Sequence, residues 1–254
     1  MRNETNTSLT AAQKDLLNKK LDPETTVLKS YSSKRNKVYL IGNRSGKGPF
    51  YILKEFAGSK PLKRKEKEIK FLKILKNSDL LSPGILHEEG KSILIEYIKG
   101  PDLLEIFERS ETDSEFNNMF VLLKKACALI KYFNLYSLRS LGKAHIFYDI
   151  NLKNFILAKD GLYRIDLESC IPGRIEKDLG RFIAYILTYN PVFTSYKERI
   201  ARSLIDHLAT QTGRLDINEV LKEIKEELLD IQARRRLKVD LYRLFTKIEK
   251  TITP

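Results

Sequence analysis

Two short segments carry most of the residues whose types and spacing suit chemistry. Tyr148-Asp149-Ile150-Asn151-Leu152-Lys153-Asn154 runs into the apolar Phe155-Ile156-Leu157, and Tyr163-Arg164-Ile165-Asp166-Leu167-Glu168 follows. An Asp and an Asn five residues on thus sit in a loop that closes into a strand, and a second Asp ends the next strand. Phosphoryl transfer uses these types: one carboxylate to orient the attacking hydroxyl, and an amide with a carboxylate to hold a divalent cation on the phosphates. A turn at Asp160-Gly161 makes the two strands a hairpin. Asn154 and Asp166 then reach the same end of paired strands, where both could serve one metal. An isolated Asp and Asn at this spacing occur often by chance. Followed by three apolar residues, a turn and an apolar-Asp strand end, they are far more specific.

The elements that position these residues follow from periodicity. TTVLKSY, KVYLIGN and FYILKEF are alternating, β-rich runs separated by the turns SSKRN and RSGKGP, which predicts a three-stranded meander. In KRKEKEIKFLKILKN, Ile69, Leu72 and Leu75, with Phe71 and Ile74, form a stripe of helical period. SPGILHEEG reads as a turn and KSILIEYIKG as a strand. From Pro101 the chain is mainly helical: FNNMFVLLKKACALIKYFNLYSL suits a core helix, with Cys127 inside it. KDLGRFIAYILTY, YKERIARSLIDHLAT and the stretch from INEVL to about TKIEK are further helices. A short helix is expected at AAQKDLLNKK, ended by Asp22-Pro23. The predicted class is α+β with segregated elements: an N-terminal extension over 1–24, a β-rich N-lobe with one helix and a hinge strand over 25–98, and a helical C-lobe over 99–254.

Composition sets the outer limits. A chain of 254 residues, 42% hydrophobic and 31% charged, is that of an ordinary globular protein. No apolar run approaches the roughly 20 residues of a membrane span, and the first residues have no apolar core like that of a signal peptide. Cys127 and Cys170 make neither a disulfide framework nor a metal site, and His87, His145 and His207 offer no ligand spacing, so a cytoplasmic setting is expected. The net charge of +13 is uneven: residues 1–100 hold 21 Lys+Arg against 11 Asp+Glu, and the rest 25 against 22. The basic first part is either a lysine-rich solvated surface or the footprint of an anionic partner. Lys63-Arg64-Lys65 and Arg234-Arg235-Arg236 read first as solvated helix faces.

The pattern resembles the protein-kinase-like superfamily over roughly residues 25–190. It is most similar to the compact branches: lipopolysaccharide core sugar kinases (Kdo and heptose kinases) by Asp-x-Asn-x-x-Asn at 149, 151 and 154 and by Lys177-Asp178-Leu179, then RIO-type and tRNA-modification-linked small kinases and aminoglycoside phosphotransferases. The resemblance implies a two-lobed kinase-like fold that uses ATP and Mg²⁺. It implies that Lys54 holds the α- and β-phosphates and that Glu68 pairs with Lys54, with Glu66 as a rival. Ser32 and Ser33 would lie in the phosphate-facing turn, and backbone groups of Glu96 and Ile98 would read the adenine edge. Asp149 would be the catalytic base, Asn154 and Asp166 the metal ligands, and Asp178 a structural brace for the catalytic loop.

Some positions depart from that pattern. The first hairpin turn, Ser32-Ser33-Lys34-Arg35-Asn36, has no glycine to offer free amides to phosphates. Phe147 precedes the catalytic Asp, and Asp166-Leu167-Glu168 stands where Asp-Phe-Gly is familiar. Asp178 follows Asp166 by only 12 positions, which leaves no room for a long activation segment. The expected function is therefore transfer of the ATP γ-phosphoryl group to a hydroxyl of a sugar or other non-protein acceptor. The competing readings are an atypical serine/threonine kinase associated with RNA or ribosomal assemblies, and a pseudokinase binding module. The acceptor would be an anionic or hydroxyl-bearing small molecule. Basic residues could touch RNA or an anionic membrane, which would make the protein peripheral at the inner face.

Overall fold

A computed structural model describes residues 21, 24–33, 35–46, 48–211 and 215–236. The chain divides into two compact units: residues up to Lys99 with Ile165–Ser169, and Gly100–Arg164 with the residues from Cys170 on. A single boundary at 98/99 does not capture the return of Ile165–Ser169 to the first unit.

The first unit is built on five strands, β1 (Thr25–Tyr31), β2 (Lys37–Asn43), β3 (Tyr51–Glu55), β4 (Ile85–Glu89) and β5 (Ser92–Glu96), antiparallel in the order β1-β2-β3-β5-β4. The expected meander is β1–β3. SPGILHEEG is not all turn, because its second half forms β4. Half-buried Ile85 and His87 alternate there with exposed Leu86 and Glu88, so the outward leucine conceals the strand pattern. Register sets two faces. Tyr39, Leu53 and Leu94 pair across β2, β3 and β5 and join Ile41 in a core almost free of solvent. The next row, Val38, Lys54 and Ile93, points to the opposite face, because strand side chains alternate. Helix α1 (Pro61–Leu75) serves that face. Its proline suits the first turn, and Glu68, Ile69, Phe71, Leu72 and Leu75 are buried.

The second unit begins with α2 (Leu103–Thr112), whose N-terminus is capped by Asp102 accepting from the Glu105 N–H at 2.9 Å. The core helix α3 (Phe116–Leu141) buries Leu123, Cys127, Ile130 and Phe133 and ends at Gly142, which takes φ 67°. Strand β6 (His145–Ile146) pairs with β9 (Ile171–Pro172). Between them lie a 3₁₀ turn at Leu152–Asn154 and the hairpin of β7 (Phe155–Ala158) and β8 (Gly161–Arg164). The pairing of Ala158 with Gly161 leaves Lys159-Asp160 as the loop, one residue before the expected turn. Helices α4 (Ile175–Thr188), α5 (Ser195–Ala209) and α6 (Ile217–Arg235) complete the unit. Gly180 lets α6 approach α4: a Cβ there would lie 2.8 Å from the Val220 carbonyl oxygen. The expected AAQKDLLNKK helix and the stretch beyond Arg236 lie outside the described residues.

Candidate active site

In the first unit, the buried Lys54 ammonium lies 2.5 Å from Glu68 Oε2, 2.8 Å from Asp166 Oδ1 and 3.4 Å from Glu168 Oε2. Burial alone would lower the Lys54 pKa, but the three carboxylates more than reverse this and raise it, so the ammonium stays charged. Burial pushes Glu68 up to about 7, with Lys54 pulling it down and Asp166 adding to the rise. Helix geometry decides between the two expected partners. Glu68 shares a face with Leu72 and Leu75 and is buried, whereas Glu66 is exposed.

Glu168 is the main residue that sequence reasoning missed here. Its Oε2 accepts from Asn36 Nδ2 at 2.7 Å and its Oε1 from Arg64 at 2.9 Å. Arg64 also donates to Asn36 Oδ1 at 3.0 Å and to the Ala57 carbonyl. The Arg64 side chain is only 12% exposed, so Lys63-Arg64-Lys65 is not simply a solvated face. Asn36 closes the turn that holds Ser32 and Ser33. Both serines are exposed, and Ser33 Oγ accepts from the Asn36 N–H at 3.3 Å. The turn without glycine is thus anchored at its Asn36 end by Glu168 and Arg64. The hint in the sequence was an acid, Glu168, where a glycine is familiar.

At the end of β5, the Glu96 N–H donates to the Gly84 carbonyl at 3.0 Å and the Tyr97 N–H to Phe50 at 3.4 Å. Backbone groups alternate along a strand, so the Glu96 N–H, held by Gly84, lies on the edge away from β3. That edge is the one expected to read adenine.

In the second unit the loop around Asp149 is held mainly through its backbone. Asp178, expected as a brace, is fully buried and accepts from the Phe147 N–H at 2.7 Å and the Tyr148 N–H at 3.0 Å. Burial pushes Asp178 up to about 6, against those two N–H groups and the Arg164 and Arg181 charges. Arg164, also fully buried, donates to the carbonyls of Asp149 at 2.6 Å and Asn154 at 2.9 Å, and its guanidinium lies 4.6 Å from the Phe147 ring centroid and 5.1 Å from that of Phe155. Sequence reasoning assigned Arg164 nothing, although a charged residue on the buried side of a strand was the available signal. Asp149 Oδ1 accepts from Asn151 Nδ2 at 2.8 Å, and Asn154 Nδ2 donates to the Asp149 carbonyl at 3.2 Å. This orientation commits the Asn154 amide nitrogen to the loop. His145 is buried against the Lys143 carbonyl. Tyr148 and Asp166 both take left-handed backbone, φ 65° and 61°, strained for residues with a Cβ.

The donor chemistry fits Mg²⁺. Lys54 and Arg64 face the carboxylates of Glu68, Asp166 and Glu168, a balance one negative charge in excess, and the three acids bring oxygens within 4.8 Å of one another. Hard oxygen donors with surplus negative charge suit Mg²⁺ or Mn²⁺. Asp166, at 35% side-chain exposure, is the most accessible of the three.

No family model matches the sequence, and no curated protein matches it. Solved structures do. Aminoglycoside phosphotransferase APH(2'')-Ib in its ADP-bound form aligns with TM-score 0.55 at 16% identity, covering 96% of this chain and 97% of that one. The streptomycin–ATP–APH(2'')-IIa ternary complex aligns with TM-score 0.54 at 13% identity, covering 91% and 95%. At such identities the likeness shows the fold, and the fold is protein-kinase-like.

Proposed function

We propose that the protein is an ATP- and Mg²⁺-dependent phosphotransferase that moves the γ-phosphoryl group to a hydroxyl of a non-protein acceptor. The observation that carries this reading is the buried Lys54–Glu68 pair at 2.5 Å with Asp166 at 2.8 Å from the same ammonium. A mere scaffold has no physical need to gather three carboxylates around one lysine. Further support comes from proteins of the same fold, which were captured with ADP and with ATP plus streptomycin.

Lys54 would hold the α- and β-phosphates, and Glu68 keeps the lysine oriented. Glu96 and Ile98 would present backbone groups to the adenine edge, and Ser32 and Ser33 would face the phosphates. Asp166 and the Asn154 amide oxygen would hold Mg²⁺, which neutralises phosphate charge when bound. Asp149 orients the acceptor hydroxyl and takes its proton as the oxygen bonds to the γ-phosphorus; the bond from that phosphorus to the β–γ bridging oxygen breaks, and its electron pair leaves with ADP. Positioning and charge neutralisation supply most of the rate. The buried thiols of Cys127 and Cys170 fit a reducing, cytoplasmic setting, and no helix among the described residues is long and apolar enough to cross a membrane.

The test combines two variants. Thermal stability of the wild type should rise with ATP and Mg²⁺, by about 2.7 kcal/mol at a hundredfold excess over the dissociation constant, and Asp166→Ala should lose the Mg²⁺-dependent part. Asp149→Asn should bind nucleotide yet lose turnover about 10²- to 10⁴-fold. Unchanged turnover would sink the assignment of Asp149. No response to ATP would leave the pseudokinase reading.

A further inference from the structure

The turn that follows β1 is held by side chains far from it in sequence. Asn36 is buried, whereas Ser32, Ser33 and Arg35 before it are exposed. Its amide is used at both ends: Nδ2 donates to Glu168 Oε2 at 2.7 Å, and Oδ1 accepts from Arg64 at 3.0 Å and from the Ala57 N–H at 3.4 Å. Its own N–H donates to Ser33 Oγ at 3.3 Å, so this buried residue also holds an exposed one.

Arg64 spreads its donors over the same place. Besides Asn36 it reaches Glu168 Oε1 at 2.9 Å, the Ser59 carbonyl through Nε at 3.2 Å and the Ala57 carbonyl through Nη2. Three nitrogens of one planar group thus tie the first turns of α1, the connection from β3 and the turn after β1. The single nitrogen of a lysine could not span them. Glu168 Oε2, which receives Asn36, also lies 3.4 Å from the Lys54 ammonium. The turn and the lysine that would hold the α- and β-phosphates therefore share one carboxylate oxygen.

This bears on the missing glycine. Glycines let a loop aim several N–H groups at phosphate, a freedom that residues with a Cβ lack. A turn that the ligand had to order would lose affinity to that ordering. Here the ordering is done on folding, by side chains behind the turn. We infer that Asn36 and Arg64 are positioning residues for the nucleotide phosphates: they fix the turn of Ser32 and Ser33 from behind and, through Glu168, set its place relative to Lys54. The inference rests on the phosphotransferase reading above and adds to it how a turn without glycine serves phosphate.

The experiment titrates ADP with Mg²⁺, and separately adenosine, by calorimetry onto the full chain and onto Asn36→Ala, Arg64→Lys and the double variant. Neither single substitution changes the net charge, so long-range attraction to phosphate stays the same. Each should weaken ADP about tenfold and adenosine less than about twofold, because adenosine has no phosphate for the turn to meet. The double variant should weaken ADP little further, since both residues act through one turn. Equal loss of ADP and adenosine would overturn the inference, because damage to the fold does that. So would unchanged ADP binding in either single variant, or losses that multiply to about a hundredfold in the double. If the wild type does not bind ADP, the phosphotransferase reading falls instead, and hydrogen exchange judges the anchor: the Asn36 N–H should exchange about tenfold faster in Arg64→Lys, and an unchanged rate would overturn it.

Discussion

The Lys54 cluster and the Asp178 brace each bury carboxylates near cations, but their partners differ in kind. Around Lys54 the partners are other side chains: Glu68 from α1, Asp166 and Glu168 from the returning segment, Arg64 and Asn36 behind them. Charges of this kind can exchange partners, and a phosphate or a cation can take the place of one of them. Around Asp149 the buried charges hold main chain instead. Asp178 accepts from two backbone N–H groups, and Arg164 donates to two backbone carbonyls. Backbone groups in a fixed loop have no alternative partner, so this arrangement sets the shape of the loop. One region holds charges that could exchange partners, and the other holds a conformation.

Three measurements would break or sharpen that contrast. The largest mutational effect on stability is expected from Asp178→Ala. It leaves the buried Phe147 N–H and the part-buried Tyr148 N–H without their acceptor, at roughly 1–3 kcal/mol for a buried group, so denaturant unfolding should show a loss of about 3 kcal/mol. A loss below about 1 kcal/mol would mean that the loop is held by other means. Next, Glu168→Gln should act on the ligand more than on the fold. With the charge gone, Arg64 and Asn36 lose their anchor. The KM for ATP should rise about tenfold while kcat changes less than about threefold, a split of the size of one charge-assisted hydrogen bond. Equal falls in kcat and stability would instead make Glu168 a structural residue like Asp178.

The third test is the pH dependence of stability. Folding raises Glu68 to about 7 and Asp178 to about 6, above the ordinary 4.5 and 3.8, chiefly through burial. The folded state therefore favours the protonated forms. The stability each lends is complete below its ordinary value and is lost as pH climbs through the raised one. Thermal denaturation from pH 4 to 8 should show this decline. Glu68→Gln should flatten its upper part, near pH 7, and Asp178→Asn its lower part, near pH 6. A decline untouched by either variant would place it on other groups.

Much of this was legible beforehand. The strands β1–β3 and β5 and the helices α1, α3, α4 and α5 follow from local periodicity, and local periodicity is written in contiguous residues. Strand β4 was hidden because an outward leucine and two acids blur its alternation. Asp149, Asn154 and Asp166 could be singled out by order and spacing, and Lys54 and Asp178 by the resemblance that those three carry. Chemistry of this kind needs those types at those intervals, and the intervals follow from strand, turn and helix lengths. The tertiary structure alone decided which partners they have. It chose Glu68 over Glu66, drew Arg64 inward to Glu168, anchored Asn36 there, set Arg164 under the loop and folded Arg234 and Arg235 back onto Glu227 and Thr188. The physical reason is one of range. Backbone preference acts over a few residues, whereas a buried charge is satisfied by whatever distant segment the packing brings within about 3 Å.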